Sequence, residues 1–392
     1  MDQPIIHVNF SQTGGAGQLA HTLATAQTSA GRDSRVLSII DGTLRTEPLT
    51  SPIHTAAAGI DRYLVQSPTF SAPISLLRDH GPSNILTLIP EHAVVHLHGY
   101  NGALSLTDIT AISARQKLVW TFHDMNPFTG TCHYALGCTS FSAGCDDCPA
   151  VRPAFRPLVS RHHRAKMQAF ALTENASLVA PSEWLARLAR TSSIFEARSV
   201  SVIPNPYAPA FEKQSSGPPE PSSTPSEKSV TVGVVAADLL DPVKNVAEAV
   251  AAFRRARERN PSLRLALVGA RGEEYAGPGV EIMGALKNEA LPAFYSLCDV
   301  IVMPSLAENA PLVIIEASSQ GCPTLAREAG GSPELLTRLG SGSVYTSAHQ
   351  LSELLESFTP LTLAARTALR DKTQEVFSPS SVAKQYDEVY ES

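Results

Sequence analysis

No apolar run in this 392-residue chain approaches the roughly 18 residues that a membrane-crossing helix needs, so a membrane bundle is excluded. Aromatic residues make up only 6% and charged residues 17%, against 43% apolar, a balance that suits a globular protein and excludes a disordered polyelectrolyte. A net charge of −6 gives no support to general nucleic-acid binding, and no nucleic-acid partner is expected. Asp-x-Asp, a common divalent-metal signature, is missing, so no catalytic metal is expected. The start, Met1-Asp2-Gln3-Pro4, has no basic segment before the first apolar stretch. A secretory signal is therefore not expected, and a cytoplasmic location is.

The length exceeds one ordinary core and implies two domains. Strands are predicted at Ile5 to Phe10, Ser34 to Ile40, Ala93 to His98, Lys117 to Phe122, Ser177 to Ala180 and Val200 to Ile203, with helices between them. This alternation predicts an α/β fold with a doubly wound parallel sheet in residues 1–205. Composition then shifts to Pro and Ser over 206–229, centred on Gln214 to Pro225, which reads as a linker. A second series, at Val230 to Val235, Leu263 to Val268, Val300 to Met303 and Thr324 to Ala326, predicts a second Rossmann-like domain over 230–375. Its helices include Val246 to Asn260 and Leu291 to Leu297.

Several groups could carry chemistry. Glu308 and Glu316 stand eight positions apart where the strand ending at Pro304 hands over to a helix. Asn309 can cap that helix and Pro311 suits its first turn, while Gly321 and Pro323 end it near Gln320. The amides of a helix start attract a diphosphate, and Glu316 would lie about 7 Å along the axis at roughly 1.5 Å per residue. Lys244 follows the first strand of the second series, where an ammonium could neutralise a departing phosphate or simply face solvent. His123-Asp124 sits at the carboxyl end of a buried strand. His96 and His98 end a neighbouring strand and either line a pocket or just terminate it.

Gly14, Gly15 and Gly17 after the first strand do not match Gly-x-Gly-x-x-Gly and read either as a strand-to-helix turn or as a loop approaching phosphate, with Thr13 and Gln18 beside it. Cys132, Cys138, Cys145 and Cys148 cluster within residues 132–148. They could enclose a structural Zn²⁺, or form a reduced or partly disulfide-bonded loop with His133 solvated. Cys298 and Cys322 read as core residues. Arg152, Arg156, Arg161, His162, His163, Arg164 and Lys166 form a basic stretch that is either a solvated helix face or a peripheral contact with anionic lipid over 152–166.

Glu308 to Glu316, followed by Gly321-Cys322-Pro323 and Gly330-Gly331-Ser332-Pro333-Glu334, resembles the donor-binding segment of retaining glycosyltransferases of family 4. Asp241-Pro242-x-Lys244 and Thr129-Gly130-x-Cys132-His133-Tyr134 resemble a subgroup that includes colanic-acid-type polysaccharide transferases. The resemblance implies the GT-B fold, two Rossmann-like domains facing a central cleft, with the last helix (376–392) crossing back to the N-terminal domain. It implies transfer of a hexose-type sugar from a nucleotide diphosphate sugar to a saccharide, lipid-linked or small-molecule acceptor. Catalytic roles would fall to His123, Lys244 and Glu308, and donor binding to Gly15, Gly17, Asn309, Ala310, Pro311, Leu312 and Glu316. One departure is that Asp238 stands where many members carry an arginine. A GT-B nucleotide-sugar epimerase and a non-catalytic sugar-nucleotide sensor are the alternatives.

Overall fold

A computed structural model describes residues 3–10, 14–40, 43–45, 56–57, 59–76, 84–101, 104–173, 175–212 and 229–392. Thr13 and the greater part of the expected linker, 213–228, lie outside the described residues. The chain forms two compact units, Met1–Asn205 with Pro379–Ser392, and Pro206–Ser378.

The first unit is built on a seven-stranded sheet of order β3-β2-β1-β4-β5-β6-β7, comprising β1 (Ile5–Asn9), β2 (Ser34–Ile40), β3 (Thr43–Arg45), β4 (Val94–Gly99), β5 (Lys117–Thr121), β6 (Ser177–Ala180) and β7 (Val200–Val202). All pairs are parallel except β3, which lies antiparallel at the edge on β2. Helix-covered parallel strands are buried on both faces and so read as apolar runs. Here two of those runs are interrupted by histidine: His7 in β1, and His96 and His98 in β4, are all buried. The register sets His7 beside His96, and the two-residue period puts His96 and His98 on one face of β4. Helix Pro379–Glu391 packs on this sheet, with Val382, Tyr386 and Tyr390 joining Ile5, Leu23, Val94, Val119 and Val179 in one core cluster.

The second unit carries a six-stranded, wholly parallel sheet of order β10-β9-β8-β11-β12-β13. Its strands are β8 (Val230–Asp238), β9 (Leu263–Ala270), β10 (Val280–Gly284), β11 (Val300–Met303), β12 (Thr324–Arg327) and β13 (Ser343–Tyr345). In a sheet of this order, ligands bind at the carboxyl ends of the strands where the order reverses, here between β8 and β11. Among the described residues, no helix is long and apolar enough to cross a membrane.

Some expectations need correction. Residues 206–211 are not linker, because Tyr207, Ala208 and Phe211 are buried in the second unit's core with Phe294, Ile315 and Phe377. Residues 376–378 likewise belong to that unit. The strands β10 and β13 were not predicted: β10 alternates half-buried and exposed residues, and β13 has only three residues. Gly14, Gly15 and Gly17 do not form a loop but open the helix Gly14–Ser29, which Gly14 enters at a φ of +80°. A Cβ at Gly14 or Gly15 would meet no protein atom within 4 Å.

Candidate functional site

The switch point of the second unit gathers two segments far apart in sequence. After β8, the carboxylate of Asp241 accepts the Val243 N–H at 2.8 Å and the Asp241 carbonyl accepts the Lys244 N–H at 3.0 Å, forming a tight turn. Asn245 then starts helix Val246–Arg259 in the left-handed region, φ 53°, and its side-chain amide donates to the Pro304 carbonyl just beyond β11. Leu306 N–H donates to the Val243 carbonyl at 2.8 Å. These bonds tie the two loops together, and the side chains follow: Lys244 Nζ lies 2.6 Å from Glu308 Oε1. The Glu308 side chain is 13% exposed and that of Lys244 36%, so the carboxylate is the more buried partner.

Gly330 explains why the Gly330-Gly331 pair follows. The Glu308 carbonyl accepts the Gly331 N–H at 3.0 Å, and a Cβ on Gly330 would stand 1.6 Å from that oxygen. At a φ of +58°, the position also disfavours any other residue. The helix that follows Glu308 spans Leu312–Ser319, with Pro311 as its N-cap and no side-chain cap. Asn309 therefore does not cap this helix and Pro311 is not within its first turn; the proline's ψ of 120° is extended. Asn309 and Ala310 are buried and Leu312 is half-buried.

Glu316, within the same helix, is largely buried. It is 6% exposed and accepts the Tyr295 hydroxyl at 3.2 Å. Burial lifts its pKa to about 7 against the small opposing effect of that hydrogen bond. Lys244 and Glu308 are thus brought together, whereas Glu316 is seated within the core beside Tyr295.

In the first unit, His123 and Asp124 lie just past β5, half-buried. Burial depresses the His123 pKa to about 4, opposed by the neighbouring Asp124 charge. Asp124 Oδ2 is 2.5 Å from His133 Nδ1, and His133 Nε2 is 2.8 Å from Ser75 Oγ. His133 is therefore not a solvated loop residue. The Asp-His-Ser connectivity is that of a nucleophilic triad, but Ser75 is 1% exposed and cannot meet a substrate. The chain acts instead as a brace that holds the 129–134 segment against the end of β5. For Asp124, burial favours the neutral acid, yet His133 and the Asn126 N–H outweigh it and lower the pKa.

The four clustered cysteines are free thiols, so none is in a disulfide. Cys132 and Cys148 share a hydrogen bond that pushes the Cys132 thiol up and brings Cys148 down to about 7; burial pushes Cys145 up to about 11. The Gly130 N–H reaches Cys145 Sγ at 3.3 Å, and the Ala150 and Val151 amides favour the Cys148 thiolate. Cys298 and Cys322 are buried core residues.

The basic stretch is not a single solvated face. Lys166 is 0% exposed, with Nζ donating to the carbonyls of Asn126 at 2.7 Å and Thr129 at 3.1 Å and to Asn126 Oδ1 at 3.1 Å. His163 is also buried. Arg156 pairs with Asp147 and Arg164 with Asp146, both between the last two cysteines. His96 and His98 neither line a pocket nor merely end a strand, since both are buried and bonded on both ring nitrogens.

Sequence reasoning missed two partners. Arg271, just beyond β9 at a φ of +60°, chelates Asp238 through Nε at 2.9 Å and through Nη2. A cation thus arrives beside the position that lacks its arginine, from 33 residues away. Tyr295 is the other, and nothing in its own heptapeptide marks it as the partner of Glu316.

Residues 222–374 match the model of the family described as glycosyl transferases group 1. The putative colanic acid biosynthesis glycosyl transferase WcaC of Escherichia coli (strain K12) is 26% identical over 248 residues, 62% of this chain. The match spans 59% of that relative's length. Sucrose-phosphate synthase (tll1590) from Thermosynechococcus elongatus superposes with a TM-score of 0.62 at 18% identity, over 100% of this chain and 98% of that one. Anabaena Alr3699/HepE, solved in complex with UDP-glucose, does so with a TM-score of 0.57 at 16% identity, over the whole of both chains. At such identities the likeness is one of fold: α/β, of the GT-B kind, with two Rossmann-like units.

Proposed function

We propose that this chain is a retaining glycosyltransferase of family 4 that moves a hexose-type sugar from a nucleotide diphosphate sugar to an acceptor hydroxyl in glycoconjugate or polysaccharide synthesis. The observation that carries the reading is the 2.6 Å contact between Lys244 and Glu308 at the β8/β11 switch point, inside the unit that matches group 1 glycosyl transferases. UDP-glucose in the Alr3699/HepE structure supports a nucleotide-sugar donor.

The chemistry follows from charge. The acceptor oxygen bonds to the anomeric carbon on the face that the diphosphate leaves, the carbon–oxygen bond to phosphate breaks, and a phosphate oxygen takes the acceptor's proton. Negative charge grows on the diphosphate, and Lys244 with the positive end of helix Leu312–Ser319, which has no side-chain cap, stabilises it. No step requires a metal. Glu308, held near the lysine, swings to the donor sugar's hydroxyls; Asn309, Ala310 and Leu312 form the donor-facing turn beside it, with Pro311 extended. Glu316 takes the ribose hydroxyls once its bond to the Tyr295 hydroxyl opens, and His123, Gly15 and Gly17 remain the first unit's candidates for sugar and phosphate contact. Cys132, Cys138, Cys145 and Cys148 are the candidate ligands of a structural Zn²⁺: they offer four soft sulfurs, with amide N–H groups directed at two of them, but among the described residues no three of these sulfurs lie within 4.8 Å of one another, so the ion would have to draw the loop together.

A thermal-shift screen of nucleotide diphosphate sugars selects the donor, and turnover is then measured with acceptor. Lys244→Ala and Glu308→Ala should each lower turnover by about a hundredfold or more, the scale of one lost electrostatic stabiliser. Unchanged turnover in both would refute the assignment, and donor converted without acceptor would make the protein an epimerase.

A further inference from the structure

Among the described residues, His7, His96 and His98 have ligand atoms all within 4.8 Å of one another and are all buried. The group has the donor set of a metal site, but its nitrogens are already spent. His7 Nδ1 meets His98 Nε2 at 2.9 Å and His7 Nε2 meets Gln27 Oε1 at 2.8 Å. His98 Nδ1 meets His123 Nε2 at 3.0 Å. His96 meets the Tyr390 hydroxyl through Nδ1 at 2.7 Å and Thr121 Oγ1 through Nε2 at 2.8 Å. An ion would have to break several of these bonds in a buried place, where unmade bonds are costly.

We propose that Gln27, His7 and His98 form a hydrogen-bond relay of fixed direction whose output is the tautomer of His123, with the proton on Nε2 and Nδ1 left as the acceptor. The direction follows from counting donors. Gln27 Oε1 can only accept, so His7 carries its proton on Nε2. His7 Nδ1 must then accept from His98 Nε2–H, and His98 Nδ1 must accept from His123 Nε2–H. A second branch leaves the same amide: Gln27 Nε2 donates to the Tyr390 hydroxyl at 3.1 Å, which donates to His96 Nδ1. His96 Nε2–H then meets Thr121, whose hydroxyl reaches Tyr386 at 2.9 Å. Ser34 Oγ donates to the same Gln27 Oε1 at 2.8 Å.

One amide therefore sets both branches, and turning it over would reverse every bond in them. Burial keeps the four imidazoles neutral at pH 7, with His7 and His123 at about 4 and the other two well below their ordinary value. Each ring thus carries one proton, which is the condition for a direction to propagate. Gln27, His7 and His98 are positioning residues in this scheme. It rests on the proposed function only for what His123 does with its tautomer, not for the tautomer itself.

Long-range ¹H–¹⁵N correlation of the full chain labelled with ¹⁵N-histidine at pH 7.5 tests this without substrate, so its outcome is independent of whether sugar transfer is found. The expected result is a protonated Nε2 and a bare Nδ1 for His7, His96, His98 and His123. In Gln27→Met, which removes the amide, and in Tyr390→Phe, which removes its anchoring hydroxyl, His123 should lose its pure Nε2–H signature and show both tautomers. In a transferring enzyme, kcat should fall while the donor KM holds. His123 protonated on Nδ1 in the unaltered protein would overturn the relay even if neither variant folds. So would a pure Nε2–H signature in all three proteins, or a stoichiometric metal that is lost on His7→Gln.

Discussion

Replacing Glu316 by glutamine should stabilise the second unit at alkaline pH while weakening donor binding. Glu316 is 6% exposed, and burial raises its pKa from an ordinary 4.5 to about 7. A carboxyl whose pKa rises on folding is held most tightly when protonated. Its favourable contribution is complete below pH 4.5, fades as pH rises and is gone above about pH 7. The shift of about 2.5 units, at about 1.4 kcal/mol per unit, corresponds to roughly 3 kcal/mol at pH 8. Glutamine keeps an oxygen for the Tyr295 hydroxyl and carries no charge, so the variant should match the wild type near pH 4 and exceed it by that amount at pH 8. For a unit of this size the gain is roughly 6–12 °C in Tm. Urea or thermal unfolding of both proteins at pH 4, 6 and 8 measures it. A difference that does not change with pH would refute the reasoning, because it would mean that no charge is being desolvated at this position. If Glu316 binds the donor as proposed, such a cost is the usual trade of stability for function.

Gly330→Ala would drive a Cβ to 1.6 Å from the Glu308 carbonyl at a φ of +58°, so the Glu308 loop must move. Turnover should collapse with a stability loss of about 1–3 kcal/mol, checked by kinetics beside urea unfolding. Lys166→Met should orphan the buried Thr129 carbonyl at about 1–3 kcal/mol, take one bond each from the Asn126 carbonyl and Oδ1, and lower Tm; an unchanged Tm would show that the ammonium is not seated as described. Cys145→Ser should lose the one equivalent of zinc that metal analysis should find in the untreated protein; less than about one equivalent there would rule out a four-cysteine site.

Local rules carried a reader of the sequence far. The apolar, β-branched runs at Val230, Leu263 and Val300 marked their strands, and Gly321 does end its helix, at a φ of +73°. Lys244 and Glu308 were each legible from a turn or strand end, and the structure joins them. Local rules failed where an element is short or half-exposed, as in β10 and β13, and at Asn309, which propensity nominated as a cap but which lies two residues before the actual one, Pro311.

What each segment could be is written locally: two strand–helix series, a lysine after β8, two glutamates after β11, four clustered thiols and three histidines inside strands. Those follow from periodicity and turn chemistry within a few residues. Which groups meet is a matter of long-range packing. Asp238 finds Arg271, Glu316 finds Tyr295, and Gln27 finds Tyr390 from 363 positions away. Strand register and helix docking set such pairings, and burial then converts them into altered proton affinities that no local pattern encodes.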